Sequence, residues 1–196
     1  MSSSLILATG SEFKVDLLSR LDLAFTSVAS KIDESARSDE TPRETARRLA
    51  LAKARAIHDD HPEAWVLGAD QTIALDGDRF RKPGTVDAAI DQLRRLAGRT
   101  HRLTCAVGLV TPAGDTHRAI VDYEMEMRQL TDRTIREYVD RDRPLACAGA
   151  YKIEQGGIRL FRAMRGDDYT AIVGLPLTRV WNILDAAGYF SQTPRT

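Results

Sequence analysis

Apolar and polar positions along this chain switch repeatedly between a two-residue and a three-to-four-residue period, the mark of alternating strands and helices. Leu5-Ile6-Leu7-Ala8 is a short apolar run that predicts a first β-strand. It passes through Thr9-Gly10-Ser11 into a helical pattern whose apolar side is Val15, Leu17, Leu18 and Leu21, with the Ser11 hydroxyl placed to cap the first turn. A second apolar segment, Ala24 to Ala29, predicts another strand, and the charged stretch from Lys31 to Glu40 reads as a loop. The best-marked helix starts at Thr41-Pro42-Arg43-Glu44, where threonine followed three residues later by glutamate forms a capping box and proline suits the first helical position. Its apolar side runs through Ala46, Leu49, Ala50, Ala54 and Ile57.

Trp65 to Ala69 reads as a buried strand ending at Asp70-Gln71, continued by Thr72 to Leu75. Asp76-Gly77-Asp78 is a hairpin turn signal. Thr85 caps a helix carrying Ala88, Ala89, Leu93 and Leu96, which Gly98 ends. Two long strands follow, Leu103 to Thr111 and Ala119 to Arg128. The second alternates Val121, Tyr123, Met125 and Met127 against Asp122, Glu124, Glu126 and Arg128. Thr131 caps a short helix through Tyr138 and Val139. Cys147 to Gly157 has the small and polar composition of a loop that lines a site, and Ile158 to Phe161 predicts a return to a strand. The last helix begins near Pro176, with Leu177, Val180, Trp181 and Leu184 as its stripe. Hairpins in the middle of this order predict an α/β protein with a mixed sheet and not an all-parallel one.

Composition narrows the functions that such a fold could serve. The 196 residues suffice for one substantial domain, or one domain folded as two lobes around a cleft. Lys+Arg and Asp+Glu both number 28, so the net charge is zero, which disfavours a nucleic-acid or membrane-surface binder without excluding a locally basic pocket. Two cysteines, Cys105 and Cys147, lie far apart and read as buried reduced thiols. The N-terminus lacks a basic region, and no apolar stretch approaches the roughly 20 residues needed to span a bilayer. The cytoplasm is the expected location.

Candidate chemistry gathers at a few positions. Asp33-Glu34 lies in a polar loop after a strand, and Asp70 directly follows an apolar strand, where a carboxylate suits a metal ligand or a general base. A turn former, a cap or a solvated charge is the plainer account of any one of these acids taken alone. Lys53 falls on the apolar side of its helix, so it either snorkels at the edge of the core or projects into an anion-binding cleft. Thr9-Gly10-Ser11 at a helix start, Lys14 in its first turn, and Lys82 before Pro83 are further groups suited to phosphate. There is no GxxxxGK[ST], HExxH or GxSxG, which disfavours a P-loop enzyme, a zincin or a serine hydrolase.

Read in order, Leu5 to Ser11, Ile32-Asp33-Glu34, Ala52-Lys53-Ala54, Gly68-Ala69-Asp70-Gln71, Lys82-Pro83, Cys147 to Tyr151 and Val173 to Leu177 resemble the signature blocks of the Maf family of nucleotide pyrophosphatases. The resemblance covers nearly the whole chain. It implies an elongated, inosine triphosphatase-like α/β fold over residues 1–196, with a central mixed sheet and a deep cleft between two lobes. It also implies hydrolysis of a nucleoside triphosphate to the monophosphate and pyrophosphate, assisted by a divalent metal cation (Mg2+ or Mn2+), in a homodimer. Carried over by position, Asp70 matches the proton acceptor, Glu34 with Asp70 the acids near the metal, and Ser11, Lys14, Lys53 and Lys82 the phosphate-binding positions. The family's usual opening is Ser-Pro-Arg-Arg or Ser-Pro-Trp-Arg, whereas this chain has Ser11-Glu12-Phe13-Lys14, which keeps the final charge but loses the bidentate fork of arginine.

Phe13, Gln71 and Glu154 occupy the positions that set base choice in this family. An aromatic, a glutamine and a glutamate resemble the 7-methyl-GTP branch; the thymidine/uridine branch has arginine, threonine and glutamine. N7-methylation makes guanine cationic, so an aromatic face adds a cation–π attraction to stacking. Glu154 can accept from the two donors of the guanine edge, where thymine and uracil offer one. A dTTP/UTP pyrophosphatase of the same family, a non-catalytic nucleotide-binding regulator of cell division and, more remotely, a DNA-binding protein are the competing expectations.

Overall fold

A computed structural model describes residues 4–192. The first half runs β1 (Leu5–Ala8), α1 (Glu12–Ser19), β2 (Phe25–Ser27), α2 (Pro42–His58), β3 (Trp65–Leu75), β4 (Asp78–Phe80) and α3 (Val86–Leu96). The second half runs β5 (Thr100–Val110), β6 (Thr116–Met127), α4 (Asp132–Asp142), β7 (Phe161–Arg165), α5 (Thr170–Val173), α6 (Leu177–Ala186) and α7 (Tyr189–Gln192). The alternation expected from the sequence is present, with two one-turn helices, α5 and α7, on either side of α6. The strands form one seven-stranded mixed sheet in the order β2-β1-β3-β5-β6-β7, with β4 paired to β3. β1 is parallel to β2 and β3, whereas β3–β4 and β6–β7 are antiparallel.

Packing divides the chain into two compact units, each assembled from separated segments. The first takes the chain as far as Gln71, then Cys105–Val121 and the residues from Asp168 onward; the second takes Thr72–Thr104 and Asp122–Asp167.

In the first unit β1 is buried on both faces, which explains why it reads as a continuous apolar run. Leu5 and Leu7 pack with Trp65, Leu67, Leu17, Leu18, Val180 and Leu184 on one face. Ile6 and Ala8 pack with Val66, Leu51, Ala54 and Ile57 on the other. The α2 backbone lies directly on β3: a Cβ at Gly68 would stand 2.1 Å from the Ala50 carbonyl oxygen, so glycine alone permits this approach. The expected capping box is made, with the Glu44 amide donating to Thr41 Oγ1 at 3.2 Å and the Thr41 amide to Glu44 Oε2 at 2.9 Å.

In the second unit the β3–β4 hairpin turns at Asp76 (φ 52°) and Gly77 (φ 90°), the pair of left-handed residues that a two-residue hairpin loop needs. Thr85 and Thr131 cap α3 and α4 as expected, accepting from the Ala88 and Thr134 amides. His101, Tyr151 and Phe161 make a buried cluster, with the Tyr151 and Phe161 ring centroids 4.9 Å apart.

Three local expectations change. Residues 24–29 contribute a strand of three residues, Phe25–Ser27, because pairing with β1 is confined to Leu5–Leu7. The strand expected from Ile158 begins only at Phe161, where pairing with β6 starts at Met127. The chain before it is a 3-10 turn, Gly156–Leu160, in which the Gly157 amide donates to the Lys152 carbonyl at 2.9 Å and Ile158 is exposed. Two adjacent glycines release the backbone from the extended form that the apolar alternation alone suggested. Asp70 sits inside β3 and not at its end: β1 pairs with Trp65–Gly68 and β4 with Ile73–Leu75, leaving Asp70 in the gap between those two partners. Among the described residues no helix is long and apolar enough to cross a membrane.

Candidate active site

The site is assembled in the first unit around Lys53. Three turns of α2 bring this lysine to the face that packs on the sheet, and its side chain is buried. The amine does not snorkel to water. It donates to Asp70 Oδ1 at 2.7 Å and pairs with Glu34 Oε1 at 3.0 Å. Burial disfavours its charge, but the charges and hydrogen bonds of Asp70 and Glu34 outweigh burial and hold Lys53 above the usual lysine value.

Asp70 is buried as well, and its second carboxylate oxygen, Oδ2, has no hydrogen-bond partner. An unpaired buried carboxylate oxygen is costly, and such groups concentrate where a ligand, a water or an ion completes the site. Glu34 differs from it in being half exposed. The loop that carries Glu34 is shaped by Asp33, whose Oδ1 accepts from the Ser35 amide at 2.9 Å, and by Arg48 of α2. Arg48 donates to the Ser35 carbonyl at 2.9 Å and grips both oxygens of Glu40, one of them at 2.7 Å. Nothing in the local sequence pattern marks Arg48, because its partners lie on a loop without periodicity.

α1 with its N-cap carries Ser11, Phe13 and Lys14, and β3 carries Gln71. Lys14 Nζ donates to the Ala69 carbonyl at 2.9 Å, beside Asp70. Burial of this amine, followed by the charge of Lys53, pushes its pKa down, while Asp70 and Glu34 act in the opposite sense. Ser11 occupies the N-cap position with extended backbone, yet its hydroxyl makes no capping bond, contrary to expectation. Its amide donates to Thr9 Oγ1 at 3.1 Å, a turn inside the preceding loop. Phe13 is 40% exposed, so it is not part of the core behind α1. Gln71 spends both amide hydrogens on the backbone of α5, donating to the Ala171 and Ile172 carbonyls at 2.9 and 2.8 Å. Any group that meets this side chain therefore meets its carbonyl oxygen, an acceptor.

Lys82 and Glu154 belong to the second unit, and both are exposed. There they flank Cys147: burial and then the Glu154 charge push the thiol up, with Lys152 and Lys82 working against them. Cys147 is only half-buried, short of the full burial expected, whereas Cys105 is fully buried and pushed up to about 12, chiefly by that burial; neither is in a disulfide. The structure thus gathers Ser11, Phe13, Lys14, Glu34, Lys53, Asp70 and Gln71 in one unit, and Lys82 with Glu154 in the other. Among the described residues no group of three or more His, Cys, Asp or Glu side chains is placed to hold a metal. A pair of carboxylates with an open oxygen still suits Mg2+ or Mn2+, since such ions commonly take one or two carboxylates and complete their shell with substrate phosphates and water.

The family model described as Maf-like protein matches residues 4–187. A 7-methyl-GTP pyrophosphatase of Xanthomonas campestris pv. campestris is 43% identical over 189 residues, covering 96% of this chain and 98% of the relative. A protein of the same name from Aromatoleum aromaticum is 44% identical over 187 residues, covering 95% and 96%. Among solved structures, the Staphylococcus aureus Ham1 protein superposes with a TM-score of 0.45 at 17% identity, covering 65% of this chain and 73% of that one. With the family model and near full-length relatives in agreement, the chain belongs to the Maf family.

Proposed function

We propose that this protein is a metal-assisted nucleotide pyrophosphatase that hydrolyses 7-methyl-GTP to the monophosphate and pyrophosphate. The observation that carries the mechanism is Asp70, a buried carboxylate with one oxygen held by Lys53 and the other without a partner. Asp70 Oδ2 accepts a proton from water as the water oxygen attacks the α-phosphorus. The bond from that phosphorus to the α–β bridging oxygen breaks, and pyrophosphate departs with the electron pair. Lys53 holds Asp70 Oδ1 and so aims the carboxylate, and Lys53, Lys14, Lys82 and Ser11 supply charge and hydrogen bonds to the phosphates. Glu34 and Asp70 would hold Mg2+ or Mn2+, whose chemistry when bound is to neutralise phosphate charge.

Base choice falls to Phe13, Gln71 and Glu154. The exposed ring of Phe13 is available to stack on a cationic methylated base, and Glu154 and the Gln71 carbonyl oxygen are both acceptors suited to guanine donors. The full-length relatives named 7-methyl-GTP pyrophosphatase support the same substrate. The same reading places the protein in the cytoplasm as a homodimer, the second point open to analytical ultracentrifugation.

The test is pyrophosphate release from 7-methyl-GTP, GTP, dTTP and UTP at equal concentration, with Mg2+, Mn2+ or a chelator. The proposal expects preference for 7-methyl-GTP and loss of turnover with chelator. Preference for dTTP or UTP would reassign the substrate, and full activity in chelator would remove the metal.

A further inference from the structure

One buried carboxylate takes no part in this mechanism. Asp168, 4% exposed, accepts four hydrogen bonds from its own segment. Oδ1 accepts from the Thr170 amide at 3.1 Å and from the Thr170 hydroxyl. Oδ2 accepts from the Thr178 amide at 2.9 Å and its hydroxyl at 2.6 Å. Thr178 lies in the first turn of α6, where backbone amides have no partner within the helix. Thr170 Oγ1 also accepts from the Leu177 amide at 2.8 Å, so a single carboxylate closes residues 168–178 into a hydrogen-bonded ring. Burial alone would raise the pKa of Asp168, but these donors outweigh it and hold the group below the usual carboxylate value.

Two side chains assigned above to the nucleotide, Gln71 and Lys14, lean on that ring. The Ala171 and Ile172 carbonyls within it take both amide hydrogens of Gln71 and so orient the side chain. Gly174, at φ 127°, passes so close to Lys14 that a Cβ there would stand 3.3 Å from Lys14 Cε. The ring is therefore one wall of the slot from which Lys14 reaches the Ala69 carbonyl.

We propose that Asp168 is a positioning residue for nucleotide hydrolysis: by closing the 168–178 ring it fixes the Gln71 amide and the Lys14 ammonium without touching substrate itself. This rests on reading Lys14 and Gln71 as nucleotide-facing, so its test includes a readout that needs no turnover. Asp168→Asn removes the charge and turns one acceptor into a donor facing other donors. In the folded variant, checked by circular dichroism and melting, KM for 7-methyl-GTP rises about tenfold while kcat changes less than about threefold, because ground-state placement is what is lost. The ratio of kcat/KM between 7-methyl-GTP and dTTP narrows, and acetylation of Lys14 by an amine-reactive reagent, followed by mass spectrometry, increases relative to the other lysines. Thr178→Val, which deletes one hydroxyl donor, shows the same changes to a smaller degree and carries the test if Asp168→Asn does not fold. Unchanged Lys14 labelling or unchanged KM in a folded variant overturns the proposal, leaving Asp168 a fold-holding group. Increased Lys14 labelling in a protein whose wild type hydrolyses no nucleotide supports the positioning role and refutes the reaction assignment alone.

Discussion

The two units hold their candidate groups in opposite electrostatic settings. In the first, Lys53 and Asp70 are buried against each other and Lys14 is squeezed beside them, so the surrounding fold pushes the pKa of Lys53 up and that of Lys14 down. In the second, Lys82 and Glu154 stand in solvent, where high dielectric and counterions screen their interactions until a ligand desolvates them. Groups of the first kind are pre-organised for chemistry, and their removal disturbs the protein even without substrate. Groups of the second kind matter only in the complex. Family resemblance gives both sets the same standing as site residues; their surroundings do not.

The sharpest break of that contrast is Asp70→Asn. Loss of the general base lowers the rate of pyrophosphate release on the order of a thousandfold, with nucleotide binding by titration calorimetry retained. Activity within a few-fold of wild type would favour a binding regulator. Next comes the pair Lys53→Met and Lys82→Met. Removing Lys53 leaves Asp70 buried without its counter-charge and costs about 3 kcal/mol in urea denaturation, whereas Lys82→Met changes stability by less than about 0.5 kcal/mol and raises KM only. Equal destabilisation by the two would erase the distinction drawn between the units. Glu154→Gln is smaller still: discrimination between 7-methyl-GTP and dTTP falls about tenfold, the size of one lost charged hydrogen bond, with the melting temperature unchanged.

The smallest effect concerns acid. Arg48 holds the Glu40 carboxyl at about 2, down from 4.5, by direct hydrogen bonding. A depressed carboxylate pKa stabilises the folded state fully above about pH 4.5, and that stabilisation is lost as pH falls through about 2. The gap in urea midpoint between wild type and Glu40→Gln therefore closes across that window. A gap that persists unchanged at pH 2 would show that the Arg48–Glu40 contact does not depend on charge.

Much of the architecture was legible because it is written in near neighbours. The three threonine caps, the Asp76-Gly77 turn and the alternation of β6 all depend on residues within a few positions of one another, where period and side-chain chemistry suffice. Lys53 announced itself in the same way, as a charge on an apolar stripe, but its two plausible destinations could be separated only by its partners. At Gly156–Leu160 the apolar run predicts a strand, but the chain there forms a 3-10 turn, and sheet pairing begins only at Phe161.

In the sequence Asp70 is an ordinary aspartate after an apolar run, made notable by the family blocks around it. By itself the sequence determined the elements, their order and the charge placed on each, because these follow from periodicity and capping within one helical turn or one hairpin. Only the tertiary structure decided that Asp70 and Glu34 share one ammonium, that Gln71 offers an acceptor, and that Asp168 closes a ring of its own. Lys53 and Asp70 are 17 residues apart and Gln71 and Ala171 are 100 apart, so no period within the chain encodes either contact. Each exists because the fold brings α2 and α5 to β3, where buried polar groups are stabilised by pairing.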